Sequence, residues 1–147
     1  MSRFTAMLSG AILLATQASA APLCADLGFA GLLAKCNRGE PFELTLASGQ
    51  PLAAGKVTLQ SGAYYEMRII ADGSAELAIE GPGFFRAIWM NEIVINDIEI
   101  RPMAIDSVEF DAAGTATLSF IAIKPGSYEV RIPGTDSDSQ KVTIAIQ

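Results

Sequence analysis

This 147-residue sequence predicts an all-β fold, a Greek-key sandwich or barrel of about seven to eight strands with a short helical extension at its N-terminus. Three observations carry that expectation. Apolar and polar residues alternate with a period of two in many short segments. Glycine and proline turn signals separate those segments. Helical spacing is confined to short stretches.

The clearest run is Asp106 to Gly134. Val108 and Phe110 alternate with Ser107, Glu109 and Asp111. After Ala112-Ala113-Gly114, the residues Ala116, Leu118, Phe120 and Ala122 alternate with Thr115, Thr117 and Ser119. After Lys124-Pro125-Gly126, Tyr128, Val130 and Ile132 alternate with Glu129 and Arg131. A period of two sends one set to a buried face and the other towards water.

Upstream, the first twenty residues have the make-up of an export signal. Arg3 supplies the positive end, Ala6 to Thr16 the apolar run, and Ala18-Ser19-Ala20 the cleavage site, with Ala21 the expected first mature residue. The apolar run is well short of the roughly 20 residues that span a bilayer. An uncleaved anchor is the rival reading. Pro22-Leu23 before Cys24 do not fit a lipid-attachment box. The expected location is periplasmic or secreted.

Residues 21–40 form an extension. Phe29, Leu32, Leu33 and Cys36 fall on one helical face, with Asp26 positioned to cap its start. Two cysteines in an oxidising compartment usually pair, so Cys24 and Cys36 are expected to form a disulfide. Gly28 and Gly31 leave room for the bend this needs. Two buried thiols or a metal pair are the rivals, the latter weak in a chain without histidine.

Residues 41–147 are the expected sandwich domain. Phe42, Leu44 and Leu46 mark a first strand, Lys56 to Gln60 a second, and Tyr65, Met67, Ile69 and Ala71 a third. Asp72-Gly73 is a hairpin signal. Leu77 and Ile79 mark a fourth strand, which Gly81-Pro82-Gly83 ends. The aromatic segment Phe84 to Met90 follows, and one helical turn would put Phe85 and Trp89 on one face. From Glu92 to Arg101 the alternation slips phase at Asn96-Asp97, which marks a bulge or a tight turn between two strands. After the Asp106–Gly134 run come a polar loop, Thr135 to Gln140, and a last strand of Val142, Ile144 and Ile146.

Composition narrows the function. The net charge is −6; losing residues 1–20 removes Arg3 and no acid, so nine bases face sixteen acids, a net −7. That disfavours nucleic acid and anionic membranes and suits cations or a basic protein partner.

The segments Ile123-Lys124-Pro125-Gly126-Ser127-Tyr128-Glu129-Val130 and Ile132-Pro133-Gly134, with the closing strand Lys141 to Ile146, resemble the cupredoxins, the small periplasmic blue-copper proteins. The resemblance covers residues 41–147 and implies their sandwich fold, their compartment and a place beside redox or metal-handling systems. It departs at the metal. A blue-copper site takes two histidines, a cysteine thiolate and a weak axial methionine. This chain has no histidine, Arg131 to Thr135 stands where the family's ligand loop runs, and both cysteines lie upstream. Type 1 copper is therefore not expected as a cofactor.

The candidate sites each have an ordinary structural reading. Phe84, Phe85, Arg86 and Trp89 make either a plug at the sandwich end or a docking patch, since aromatics and arginine anchor interfaces. Met90, Met103 and Trp89 are soft candidates for copper(I), with Met67 assigned to the core. Asp136 and Asp138, with Ser137 and Ser139, offer oxygens for part of a hard-cation site or form a solvated turn. Asp97, Glu99, Asp106, Glu109 and Asp111 place further carboxylates near strand ends, where they also guard edges. Catalysis has little support: no histidine serves as acid or base, and no G-x-S-x-G, H-E-x-x-H or Walker motif is present. The expected role is a non-enzymatic accessory module that docks a redox or metal-handling protein. A metal-ion carrier is the alternative, and a small enzyme the third reading.

Overall fold

The computed structural model describes residues 24–147. The expected export signal, residues 1–20, lies outside the described residues. Ten strands form two five-stranded sheets packed face to face, with no closed barrel. The strands are Phe42–Leu46 (β1), Val57–Leu59 (β2), Tyr64–Ala71 (β3), Leu77–Glu80 (β4), Ile88–Ile95 (β5), Ile98–Ile100 (β6), Ser107–Phe110 (β7), Gly114–Ala122 (β8), Gly126–Arg131 (β9) and Lys141–Ile146 (β10). One helical turn, Pro82–Phe85 (α1), precedes β5. Among the described residues no helix is long and apolar enough to cross a membrane.

The first sheet has the order β1-β3-β8-β5-β6 and the second β2-β10-β9-β4-β7. The chain repeatedly changes sheet, and this accounts for one correction. Asp72-Gly73 does not close a hairpin: β3 lies in the first sheet and β4 in the second. The Asp72 carboxylate instead accepts the Ser74 N–H at 2.8 Å, and Gly73 takes a φ of 76°. A Cβ at Gly73 would sit 2.8 Å from the Ala113 nitrogen, so the crossover packs against the turn before β8. The phase slip at Asn96-Asp97 is a two-residue turn joining β5 to β6, with φ of 49° and 65°. Positive φ at both central residues is the hairpin geometry that Asn and Asp tolerate. A separate bulge lies between Met90 and Glu92.

The inward parities meet between the sheets. Leu44, Leu46, Met67, Ile69, Ile79, Leu118, Phe120, Val130 and Ile144 are among the fully buried side chains. Phe120 is central: the rings of Phe42, Tyr65 and Phe84 stand 6.4, 6.3 and 5.5 Å from it. Phe84 and Tyr128 bring α1 against β9 at 6.5 Å.

The extension is corrected in form. It is not one amphipathic helix but two 3-10 segments, Ala25–Gly31 and Lys35–Asn37, with Gly28 out of helical geometry. Asp26 lies inside the first turn and makes no cap; Cys24 holds that position. Cys24 and Cys36 are joined by a disulfide, with Cα atoms 5.8 Å apart. The expected apolar face is not buried: Phe29 is 93% exposed, and Leu27 and Leu33 are exposed too. A buried amide anchors the segment. Asn37 Nδ2 donates to the carbonyls of Leu32 and Gly62, each at 2.9 Å.

Candidate surface for docking

A continuous row of side chains crosses the outer face of the first sheet. The register opposes Tyr64 to Ile121 and Ile121 to Trp89, so β3, β8 and β5 each supply one member. Directly opposed residues on an antiparallel pair share a face. Their neighbours Tyr65, Phe120 and Met90 point the other way, towards the core. Tyr64 and Ile121 are buried although they lie outside the main core cluster.

Local chemistry explains that second buried layer. The Arg38 guanidinium lies 4.7 Å over the Tyr64 ring and bonds Glu66 at 3.2 Å. Asn91, the extra residue of the β5 bulge, donates to Ser119 Oγ at 3.2 Å and lies 3.5 Å from Tyr64 Oη. Trp89 stays 48% exposed at the end of this row. Ile123, two residues beyond Ile121, is also exposed, and its carbonyl accepts from Ser61 Oγ. The Ser61–Gly62 turn is the one that Asn37 holds. Trp89, Ile123 and the disulfide-closed extension are thus linked through one end of the sandwich.

The predicted patch divides. Phe84 and Phe85 are buried in the core, their rings 5.6 Å apart. Arg86, the C-cap of α1, is exposed and lies 4.0 Å from Asp106. Because α1 stops at Phe85, Trp89 belongs to a strand and shares no helical face with Phe85. Sequence reading missed Tyr64 and Arg38. Tyr64 has outward parity and looks like a solvent position until the extension supplies Arg38.

The soft candidates do not converge on β5. Met90 packs towards the core while Trp89 faces outward, because adjacent strand residues alternate. Met103 is fully exposed in the loop after β6. Met67 is buried, as expected for a core residue. Lys141, at the start of β10, sits 2.8 Å from Asp138 in the β9–β10 loop and holds that carboxyl below its usual range. Asp136 is exposed, and the loop is internally bonded through Thr135 to the Ile132 carbonyl and Ser137 to Ser139.

One carboxylate group assembles that spacing could not reveal. Glu76, Glu109 and Asp111 bring oxygens within 4.8 Å of one another, all exposed. The β4–β7 pairing makes this contact, since Leu77 opposes Phe110. A hydrogen bond with Glu109, then the negative charges of Asp111 and Glu109, raise the Glu76 pKa. Asp97 and Glu99, grouped with these by sequence, lie instead at the β5–β6 turn and on β6 in the other sheet. With one oxygen each, these three carboxylates would supply three of the six to eight oxygens a calcium ion takes, leaving the rest to second oxygens or water.

No protein-family model matches the chain, and no curated protein matches it. Solved structures do. The blue copper oxidase from Nitrosomonas europaea is 13% identical over 75% of this chain and 44% of its own, with a TM-score of 0.55. A laccase-like multi-copper oxidase from Ochrobactrum sp. is 5% identical over 77% of this chain and 32% of its own, also at 0.55. A multi-copper oxidase from Pseudomonas thermotolerans is 15% identical over 75% of this chain and 30% of its own, at 0.52. The chain spans less than half the length of these proteins. At such identities the likeness is one of fold, and the fold is cupredoxin-like. The donor set of a blue-copper centre does not fit these residues, because the chain contains no imidazole.

Proposed function

We propose that this cupredoxin-like domain is an exported, non-enzymatic binding module that docks a protein partner through the outer face of its first sheet. Trp89 is the anchor, with exposed Ile123 on the same face, while the Arg38–Tyr64 pair closes the far end of the row. The observation that carries this reading is the half-exposed Trp89 at the end of a buried Tyr64–Ile121 row. Tryptophan, tyrosine and arginine dominate binding energy at protein interfaces. Tyr64, across β8 from Trp89, is already ordered by Arg38 and Asn91, so little conformational freedom remains to be lost along this row on binding. The fold neighbours are copper oxidases, which supports a redox or metal-handling partner. The acid excess favours one with a basic surface.

The test is photo-crosslinking in the native compartment from a probe at Ile123, comparing wild type with Trp89→Ala and Arg86→Ala. A discrete adduct lost in Trp89→Ala and kept in Arg86→Ala supports the reading. An adduct indifferent to Trp89 overturns it. The carrier alternative rests on the Glu76–Glu109–Asp111 group. Native mass spectrometry with calcium or copper(I) distinguishes it: a stoichiometric ion lost in Glu109→Gln or Met90→Leu would favour a carrier over a docking module.

A further inference from the structure

Four strands form the edges of the sandwich: β1 and β6 in the first sheet, β2 and β7 in the second. At three of them the inward apolar side chains are covered. Leu44 and Leu46 on β1 and Leu59 on β2 are buried, and Val108 and Phe110 on β7 pack against the core. Strand β6 differs. The register opposes Ile98 to Ile95 and Ile100 to Ile93. Ile93 is in the core and Ile95 packs on it, so Ile98 and Ile100 share the inward face. Yet they are 63% and 44% exposed.

Glu99 lies on the other face of β6, with Asp97 in the turn before the strand and Arg101 directly after it. Arg101 bonds Glu92 at 3.2 Å and Glu99 at 3.1 Å. Among the described residues Asp97 forms no ion pair. The two-residue turn makes Ile98 a hydrogen-bonded partner of Ile95, and alternation then directs the Glu99 N–H and C=O to the free edge. The edge is short and its one charge, Glu99, is paired by Arg101; no proline or lysine lies within Ile98–Ile100.

We propose that β6 pairs with β6 of a second copy of this chain, antiparallel about a two-fold axis at Glu99. In that register Ile98 of each copy meets Ile100 of the other on the inward face. On the outward face the unpaired Asp97 of each copy meets Arg101 of the other. The two Glu99 side chains adjoin at the axis, and each already has the cation of its own Arg101 beside it. A second copy is the occupant because the edge complements itself in both apolar and charged positions, as an isologous contact requires.

Sedimentation equilibrium of the purified exported chain over a wide concentration range tests this. The expected result is a concentration-dependent dimer. Ile100→Glu is expected to raise its dissociation constant at least about tenfold, the effect of losing one well-packed contact, without changing the circular dichroism of the dilute chain. Glu99→Cys is expected to give a covalent dimer under mild oxidation, whereas Thr45→Cys on the β1 edge does not. If Ile100→Glu fails to fold, Asp97→Asn serves in its place. Asparagine tolerates the positive φ there, and losing the charge pair is expected to weaken the dimer about threefold. A monomer at every concentration, a dimer indifferent to these substitutions, or no Glu99→Cys crosslink would overturn the proposal.

Discussion

Strands β10 and β6 are written in the same pattern and meet opposite fates. Val142, Ile144 and Ile146 alternate with polar or small residues, and all three are buried. Ile98 and Ile100 alternate with Asp97, Glu99 and Arg101, and both are exposed. Both sets point inward. The difference is position: β10 lies between β2 and β9, whereas β6 is an edge and, unlike the edges β1, β2 and β7, leaves its inward side chains uncovered. Alternation therefore specifies a face, and the neighbours decide whether that face is dry. Ile98 and Ile100 face inward but stay wet because nothing in the described residues covers this edge.

The sharpest way to break this comparison is a matched pair of truncations. Ile144→Ala is expected to cost about 2–5 kcal/mol in urea unfolding, because it removes a fully buried side chain and leaves a cavity. Ile100→Ala, measured on dilute monomer, is expected to cost under about 1 kcal/mol, since much of the side chain is already in water. Equal losses would mean that β6 is covered in solution without a second copy.

A smaller effect concerns the extension. Asn37→Ala leaves the Gly62 and Leu32 carbonyls without this donor in a buried setting, at a cost of about 1–3 kcal/mol. The same substitution should loosen the Ser61–Gly62 turn that bonds Ile123, visible as faster amide hydrogen exchange at Gly62 and Ile123. If exchange there is unchanged, the extension is independent of the Trp89–Ile123 face.

The smallest effect has a definite sign. Glu76 is held above its ordinary pKa of 4.5 by Glu109 and Asp111. A carboxyl whose folded pKa is raised binds more protons in the folded state, so its contribution to stability falls as pH rises through that window. Glu76→Gln should therefore be more stable than wild type at neutral pH, with the gap closing as pH falls through the raised pKa. Asp72 and Asp138 work in reverse: Ser74 and Lys141 lower their pKa values, so the stability they add is lost as pH falls through those depressed values. Melting curves from pH 3 to 7 on the variants separate the two signs. A constant gap for Glu76→Gln would mean that the three carboxylates do not interact in solution.

The alternation along Gly114–Ala122 and Lys141–Ile146, the turn glycines and the pairing of two cysteines were all readable before any coordinates. Each depends on residues close in the chain, where steric preference and period-two geometry act directly. Several features were not readable. Asp72-Gly73 has hairpin chemistry, but the five residues between β3 and β4 let the chain cross to the other sheet. The aromatic run after Gly83 gave no sign that Phe84 would be buried and Trp89 half exposed, because α1 ends between them and the period changes.

The absence of histidine, and with it the loss of imidazole ligands for a blue-copper centre, is a property of the chain alone and needs no fold to establish it. So are the period-two strands and the acid excess. Tertiary structure decided the rest. It set Arg38 over Tyr64, 26 residues away in sequence, gathered Glu76 with Glu109 and Asp111, and left Ile98 and Ile100 at an open edge. These are contacts between segments distant in sequence. Their existence depends on strand order and sheet crossing, and a local pattern carries no record of which strand will lie beside it.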